Sequence, residues 1–439
     1  MTPMEIDWFL QEVDAYGWIH ILTIPVFTGV IGWLINWTGR IMLFAPERFH
    51  GINVPGLKQL SRVMPRKVQE IPGLTIGGLG WQGIVPARAA KMGSISVDKV
   101  IAKLGTPREF YEQLGPDEIA EHIVTVFRPE MPALIDEIMR TEHPRLWRDL
   151  PPRAREMVVA RVQAQLPSIV NKITQEIGVH IDQLLDPKIM VIEYFRKNPG
   201  LVSEILQDVG RRELRLMVIF GGVFGLVLGI PVALVDHWFG QWWLLPVLGV
   251  VVGWVTNKLG MWLIFEPAEA KRFLGIKIQG LFVRRQHQAA AIYAGHIADR
   301  VITLERIGDF LVDGPRGDRT RQMLADALRP AIDKAAGPVR GAVRVAVGLQ
   351  KFDNIREAVA LAAVDRTIQP FQDADFSKAQ STKIRNLLTQ RTRELPPRDF
   401  VEMLRSAIIE DEWMLYAHGA IMGFAGGLLH LWIFGVGGS

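Results

Sequence analysis

Long apolar runs without charges alternate with polar segments along this chain. Four runs are long enough to cross a bilayer, which takes roughly 20 helical residues. They extend from Ala15 to Gly39, from Leu216 to Val235, from His237 to Asn257, and from Trp413 to near Phe434. The second and third runs are separated only by residues around Asp236, which predicts a tight hairpin. The alternative, that some runs are buried core helices, is disfavoured because the flanking charges agree for all four.

The flanking charges predict the orientation of the runs. Acidic residues alone mark the ends away from the polar segments, and the positive-inside rule therefore places both polar segments in the cytoplasm. Both termini and the short hairpin are predicted to lie outside. The acidic N-terminus also favours a retained helix over a cleaved signal peptide. The cations that flank the polar segments are Arg40, Arg48, Arg211, Arg212, Arg215, Lys258, Lys271 and Arg272.

The pattern predicts an all-α integral membrane protein with two elongated, mostly helical cytoplasmic domains. Apolar residues recur every three or four positions from Val158 to Leu184, which places one stripe on a long helix. Pro167 inside this run predicts a kink or two abutting helices. The predicted segments are 1–44 (N-terminal tail and transmembrane helix 1), 45–215 (first cytoplasmic domain), 216–265 (hairpin of transmembrane helices 2 and 3), 266–412 (second cytoplasmic domain) and 413–439 (transmembrane helix 4).

Two similar stretches indicate an internal repeat. "GWLINWTGRIMLFAPE" begins at Gly32 and "GWVTNKLGMWLIFEPA" begins at Gly253, 221 residues later. At an offset of 197, "QGIVPAR" from Gln82 aligns with "QGLFVRR", and Glu213 aligns with Glu410. Since the first and third runs cross in the same direction, the four transmembrane helices are predicted to form two parallel repeats related by an axis along the membrane normal.

Glycines spaced three or four residues apart lie on one face of each run. Such spacing lets helix backbones approach closely in a bilayer, which predicts a compact bundle. The alternative is a glycine-lined groove for an acyl chain. The predicted packing positions are Gly32, Gly253, Gly221, Gly225, Gly229, Gly419, Gly423 and Gly427.

Asn36 and Asn257 occupy equivalent places near the cytoplasmic ends of the first and third runs. A polar amide near hydrocarbon needs a partner, and the candidates are the equivalent Asn or a backbone carbonyl. We predict that this pair lies at the seam between the two halves, either as a structural contact or as a polar site for a headgroup or solute.

Two duplicated apolar segments end in basic residues. The first, "PGLTIGGLGWQGIVPARAAKMG", contains Arg88 and Lys91, and the second, "LGIKIQGLFVRRQ", offers Lys277, Arg284 and Arg285. These five cations are predicted to contact lipid headgroups, since Arg pairs well with phosphate at the membrane surface. Interfacial anchoring without specific lipid contact is the alternative.

Composition and motifs narrow the possible functions. A net charge of +4 without a long basic run disfavours nucleic-acid binding, and the absence of cysteine excludes disulfides and thiolate metal sites. The sequence contains no GxxxxGK[ST], HExxH or GxSxG motif. The acidic run Glu410 to Glu412 is interpreted as a membrane boundary. We therefore predict no catalytic residue, no metal and no cofactor.

The chain resembles the bacterial membrane family called domain of unknown function 445. The resemblance rests on the "GWxxN…LF.P" element at Gly32 and Gly253, on "QGIVPAR" at Gln82, and on the C-terminal "EDEWMLYAHGAIMGFAGGLLHL". It implies a bacterial integral membrane protein with long helical domains, and it supplies no reaction or active site.

Our leading hypothesis is a non-enzymatic inner-membrane scaffold that contacts lipids, as an accessory subunit of a larger membrane complex. Its expected partners are membrane lipids and other membrane proteins or further copies of the chain. The alternative is a transporter or lipid-translocating protein that uses the interface between the two repeats. A membrane enzyme is a third possibility, which would require close His–carboxylate geometry in a pocket.

Overall fold

The computed structural model of this 439-residue chain describes residues 15–61, 63–65, 71, 78–99, 106–142, 144–273, 276–337, 353–354, 356–357, 360–361, 364, 369–406 and 408–435. The described elements of the first half, in chain order, are α1 (Ala15–Phe44), β1 (His50–Asn53), α2 (Leu57–Ser61), β2 (Gly78–Trp81), α3 (Ile84–Ala87), α4 (Ala89–Lys99), α5 (Pro107–Leu114), α6 (Pro116–Glu142), α7 (Pro144–Asp149), α8 (Pro152–Leu184), α9 (Pro187–Lys197), α10 (Pro199–Val209) and α11 (Arg211–Phe239).

The described elements of the second half continue this numbering. They are α12 (Leu244–Phe265), β3 (Lys271–Phe273), β4 (Ile276–Ile278), α13 (Leu281–Arg284), α14 (Gln286–His296), a π-helical turn (Ile297–Val301), α15 (Leu304–Asp313), α16 (Gly317–Ala336), a 3₁₀ turn (Gln369–Gln372), α17 (Ala374–Arg393), α18 (Pro397–Arg405) and α19 (Glu412–Phe434).

The described part of the chain has four helices long and apolar enough to cross a membrane, which confirms the predicted number of spans. They are Ile21–Phe44 of α1, together with α11, α12 and α19. The predicted tight turn between the second and third spans is present, but it lies a few residues after Asp236. Helix α11 continues past Asp236 to Phe239, and the turn follows at Gly240, whose φ of 56° ends the helix in a left-handed conformation.

The chain divides into two compact units. Unit 1 comprises Met1–Ser96, Ile192–Tyr293 and Arg393–Ser439 and contains the four spans, and unit 2 comprises Val97–Val191 and Ala294–Thr392. Each unit combines stretches from both halves of the sequence, whereas the five predicted segments follow sequence order. The boundaries of those segments stay a prediction.

Unit 1 is built on two pairs of antiparallel spans. Helix α1 packs along α11, and α12 packs along α19. At the end of the bundle near the turn between α11 and α12, Ile24, Val232, Leu245 and Val252 form a buried apolar cluster. Burial of these side chains joins the two pairs into one four-helix bundle.

Two short β-ribbons in unit 1 depart from the predicted all-α fold. Strand β1 pairs antiparallel with β2, and β3 pairs antiparallel with β4. The first ribbon is rich in glycine, and a Cβ on Gly51 or Gly78 would lie about 2.6 Å from the ring Cζ of Phe49. The strands of the first ribbon lack the β-branched alternation by which a strand is usually recognised, because glycine is needed where the ring covers the backbone.

The regular elements described in unit 2 are all helical. Its longest helix, α8, packs against α6 and α16, and Ile173 lies in an apolar core with Leu324 and Val364. The predicted stripe on α8 is confirmed, since Leu166, Ile173, Ile181 and Leu184 are buried. Pro167 lies inside one continuous helix, so the alternative of two abutting helices was wrong.

Candidate functional site

The two predicted asparagines are buried between helices of their own half. Asn36 is 2% exposed and donates from Nδ2 to the carbonyl oxygen of Met217 on α11, at 2.8 Å. Asn257 is 6% exposed and donates from Nδ2 to the carbonyl oxygen of Leu415 on α19, at 2.5 Å. Among the described hydrogen bonds neither amide joins the other. Each asparagine therefore bonds a backbone carbonyl, which was one of its two predicted partners. Both hydrogen bonds lie within a helix pair, α1–α11 or α12–α19, and not across a seam between the two halves.

The predicted glycines lie where paired helices come closest. A Cβ on Gly32 would overlap the carbonyl oxygen of Gly221, and a Cβ on Gly253 would overlap that of Gly419. Backbone contact of this kind is open only to residues without a side chain. Further along the same pairs, Gly225 and Gly229 meet the backbone of α1, Gly423 meets the backbone of Gly249, and Gly427 meets the backbone of Leu245 and Pro246.

A small cavity lies among all four spans, where the two helix pairs meet. Its volume is about 40 Å³, and it is lined mainly by apolar side chains such as Phe27, Ile31 and Val252, with His430 as a polar neighbour. A cavity of this volume holds roughly one to three water molecules. It is too small for an acyl chain or an organic solute in this conformation.

Two buried ion pairs link the halves reciprocally where the spans meet the polar segments. Arg88 of the first half donates from Nε and Nη2 to Asp411, at 2.7 and 3.0 Å, and Asp411 directly precedes α19. Arg285 of the second half donates from Nη1 to Glu213 in the first turn of α11, at 2.8 Å. Both acidic side chains are almost fully buried. Each arginine therefore holds the second span of the opposite half, and we call these two pairs the reciprocal clasp.

A third arginine connects the ends of α12 and α19. Arg405 donates from Nε and Nη2 to Glu412, at 2.6 and 2.9 Å, and from Nη1 to Glu266, at 2.5 Å. The Tyr416 hydroxyl donates to the same Glu412 carboxylate at 2.9 Å. The hydrogen bond with Glu412, and after it that with Glu266, raises the pKa of Arg405, while burial opposes the shift. The guanidinium is therefore fixed as a permanent cation between two span ends.

Lys91 lies beside the reciprocal clasp and pairs with Glu410. The hydrogen bond from Lys91 holds the pKa of Glu410 below its usual range, and the charges of Lys91 and Arg88 act in the same direction. All three residues of the acidic run Glu410 to Glu412 thus have a cationic partner.

Three of the five predicted headgroup cations contact carboxylates of the protein instead. Arg88, Lys91 and Arg285 are engaged in the ion pairs described above. Arg284 is exposed, and the side chain of Lys277 lies outside the described residues. Headgroup contact by Arg284 or Lys277 stays a prediction.

Sequence reasoning missed the acidic partners of these cations. Glu213 and Glu410 were recognised only as equivalent positions, and Asp411 only as a boundary charge. The available signal was that Arg88 and Arg285 recur at the same offset of 197 as Glu213 and Glu410, although Asp411, the partner of Arg88, is the residue after Glu410. Pairing between halves could not be read from that coincidence, because Arg88 and Asp411 are 323 residues apart.

Comparisons with known proteins give one partial similarity. The chain is 25% identical over 185 residues to a UPF0754 membrane protein of Nostoc punctiforme, and the match covers 38% of this chain and 43% of that relative. The chain thus spans less than half the length of the relative. No protein-family model matches the chain, and no solved structure matches it. Together with the four apolar helices, this similarity indicates a membrane protein, while membership of the family called domain of unknown function 445 stays a prediction.

Proposed function

We propose that this protein is a non-enzymatic scaffold of the bacterial inner membrane that contacts lipids and serves as an accessory subunit of a larger membrane complex. In this proposal the polar segments lie in the cytoplasm, and both termini and the Gly240 turn lie outside. The membrane bundle is the anchor, and the long helices of unit 2 present the surface to which partner proteins bind.

The single observation that carries the proposal is the reciprocal clasp. Arg88 and Arg285 each tie one half to the second span of the other, through carboxylates that are almost fully buried. Removing one member of such a pair leaves an unpaired buried charge, so the paired state resists separation. A bundle whose halves are tied together in this way suits a fixed membrane anchor better than a protein whose halves must move apart.

Several features that occur twice support the proposed duplication into parallel repeats. Each half has a span whose Asn bonds a carbonyl of the next span, a glycine contact one turn before that Asn, and a short β-ribbon after the span. The backbone N–H of Gly83 donates to the carbonyl of Pro46 at 2.9 Å, and the N–H of Gly280 donates to that of Pro267 at 3.0 Å.

The translocation alternative has less support. It requires a wet or lipid-filled space at the interface of the halves, whereas the cavity there is about 40 Å³ and mostly apolar. It also assigned Asn36 and Asn257 to that space, and both amides are buried against carbonyls within their own helix pairs.

Site-specific crosslinking tests the scaffold role, and the cysteine-free chain makes single-cysteine variants unambiguous. Met157 and Val179 on α8 are 54% and 57% exposed, so a cysteine at either position is accessible to a crosslinker. In native membranes, Met157→Cys and Val179→Cys should crosslink to a partner subunit and shift the band above the 49.3 kDa monomer.

Ile421→Cys is the matched control, because this residue is 67% exposed on span α19 and should face lipid. A solitary monomer without crosslinks from α8, extracted in mild detergent without bound protein or lipid, would contradict the scaffold proposal. Rapid flipping of fluorescent lipids in proteoliposomes would instead favour the translocation alternative.

A further inference from the structure

A polar cleft in unit 1 lies beside the ends of two spans. It is formed by Arg40 in the penultimate turn of α1, by Glu47 shortly after that helix, by Glu204 and Asp208 on α10, and by Arg211 at the start of α11. Its volume is about 470 Å³, more than ten times that of the cavity inside the bundle. Since α1 and α11 are both candidate spans, the cleft lies at the depth of the lipid headgroups.

Arg40 is the cation available to a ligand in this cleft. Among the described residues it has no hydrogen-bond or ion-pair partner, whereas Arg211 donates to Asp208 at 2.7 Å. A long cationic side chain in the last turns of a span extends toward the headgroup layer, where lipid phosphate is the nearest anion. A phosphate group bound in the cleft could therefore accept hydrogen bonds from the Arg40 guanidinium.

Glu47 is the anion available in the same cleft. Its side-chain carboxylate has no ion-pair partner among the described residues. The carboxylate lies against Gly200 in the first turn of α10, where a Cβ would overlap it. A carboxylate beside a helix N-terminus is favoured by the helix dipole, and Glu47 lies there at the rim of the cleft.

The charge balance of the cleft selects among phospholipids. Three carboxylates and two guanidinium groups line it, so a lipid with extra negative charge is disfavoured. None of the described lining residues is aromatic, and the aromatic cage by which proteins recognise a quaternary ammonium is therefore lacking. A primary ammonium can donate hydrogen bonds to carboxylates, which a choline headgroup cannot do.

We propose that this cleft binds the headgroup of a phosphatidylethanolamine lipid, with its phosphate on Arg40 and its ammonium on Glu47. The inference deepens the lipid-contacting part of the proposed function and rests on it, but it does not depend on a partner protein. Met261 and Ala268 stand at the positions equivalent to Arg40 and Glu47 in the second half, so the site belongs to the first half alone.

Native mass spectrometry of the full-length protein in an equimolar mixture of phosphatidylethanolamine, phosphatidylcholine and phosphatidylglycerol tests this site. We expect about tenfold preferential retention of phosphatidylethanolamine over phosphatidylcholine, the effect of one charge-assisted hydrogen bond. Glu47→Gln should remove the preference, and Arg40→Gln should reduce retention of phosphatidylethanolamine. Arg48→Gln and Glu193→Gln, which do not line the cleft, should leave both unchanged, and size-exclusion elution checks folding of every variant.

Three results would overturn the proposal. One is equal retention of the ethanolamine and choline lipids by the unmodified protein. Another is an Arg40→Gln variant that retains phosphatidylethanolamine as well as the unmodified protein does, which would exclude Arg40 as the phosphate partner. The third is displacement of the lipid by an equal concentration of soluble O-phosphoethanolamine, which would identify a free metabolite as the ligand. None of these results depends on crosslinking from α8, so failure here is distinguishable from failure of the scaffold proposal.

Discussion

Breaking one pair of the reciprocal clasp should destabilise unit 1 far more than breaking an exposed ion pair. Arg88→Met leaves the carboxylate of Asp411, which is 1% exposed, without its two hydrogen bonds from the guanidinium. Loss of one member of a buried pair costs about 3–5 kcal/mol. Arg88 itself is 24% exposed and water reaches that side of the pair, so we expect a loss of about 3 kcal/mol in the free energy of unfolding.

Unfolding of the purified protein by SDS in mixed micelles, followed by the fluorescence of its 13 tryptophans, measures this loss. The double variant Arg88→Met/Asp411→Leu removes the stranded charge and should return to within about 1 kcal/mol of the unmodified protein. Arg398→Met is the matched control in unit 1, because the Arg398–Glu269 side chains are 75% and 63% exposed, and it should cost at most about 1 kcal/mol.

The reasoning fails if Arg88→Met is no more destabilising than Arg398→Met. It also fails if the double variant is as unstable as the single one, because the cost would then come from lost packing and not from an unpaired buried charge.

Three further predictions concern the same unit. Gly32→Ala should destabilise the protein by about 1–3 kcal/mol in the SDS titration, while Gly39→Ala on the same helix, where a Cβ meets only ordinary contact, should change it little. Asn257→Ala should cost about 0.5–2 kcal/mol by removing the side-chain hydrogen bond to the Leu415 carbonyl, and an effect on lipid flipping without loss of stability would contradict its structural role. The lowered pKa of Glu410 adds stability that is fully present above the pKa of the unfolded chain and is lost as pH falls through the folded value. Lys91→Met should flatten this acid dependence, as measured by unfolding at a series of pH values, and an unchanged pH profile would contradict the assigned cause.

The membrane part of the fold was largely predictable, because its signal is local. A charge-free run of sufficient length is read directly from the sequence, and the spacing of Gly32, Gly221, Gly253 and Gly419 already indicated close helix packing. The exact turn was not predictable from hydropathy, since Asp236 looks like a boundary although the helix continues through it to Phe239. Only the left-handed φ of Gly240 marks the end.

The sequence identified residues of the candidate site, but it did not show which residues contact one another. Sequence reasoning found Arg88 and Arg285 and gave them lipid phosphate as a partner, because a cation near a membrane commonly has one. The structure supplies Asp411 and Glu213 instead, from the opposite half. For Asn36 the need for a partner was evident, but hydropathy does not tell which helix lies opposite.

The sequence distance between paired spans bears on how the protein is made. Asn36 and its partner Met217 are 181 residues apart, and Asn257 and Leu415 are 158 residues apart. At a synthesis rate of about 5–20 residues per second, each leading span waits roughly 10–35 s for its partner. During that time its amide and glycine face are exposed to lipid or held by the insertion machinery. Each half therefore passes through an interval in which its leading span is unpaired, and slowing translation of the intervening polar segments should lengthen that interval.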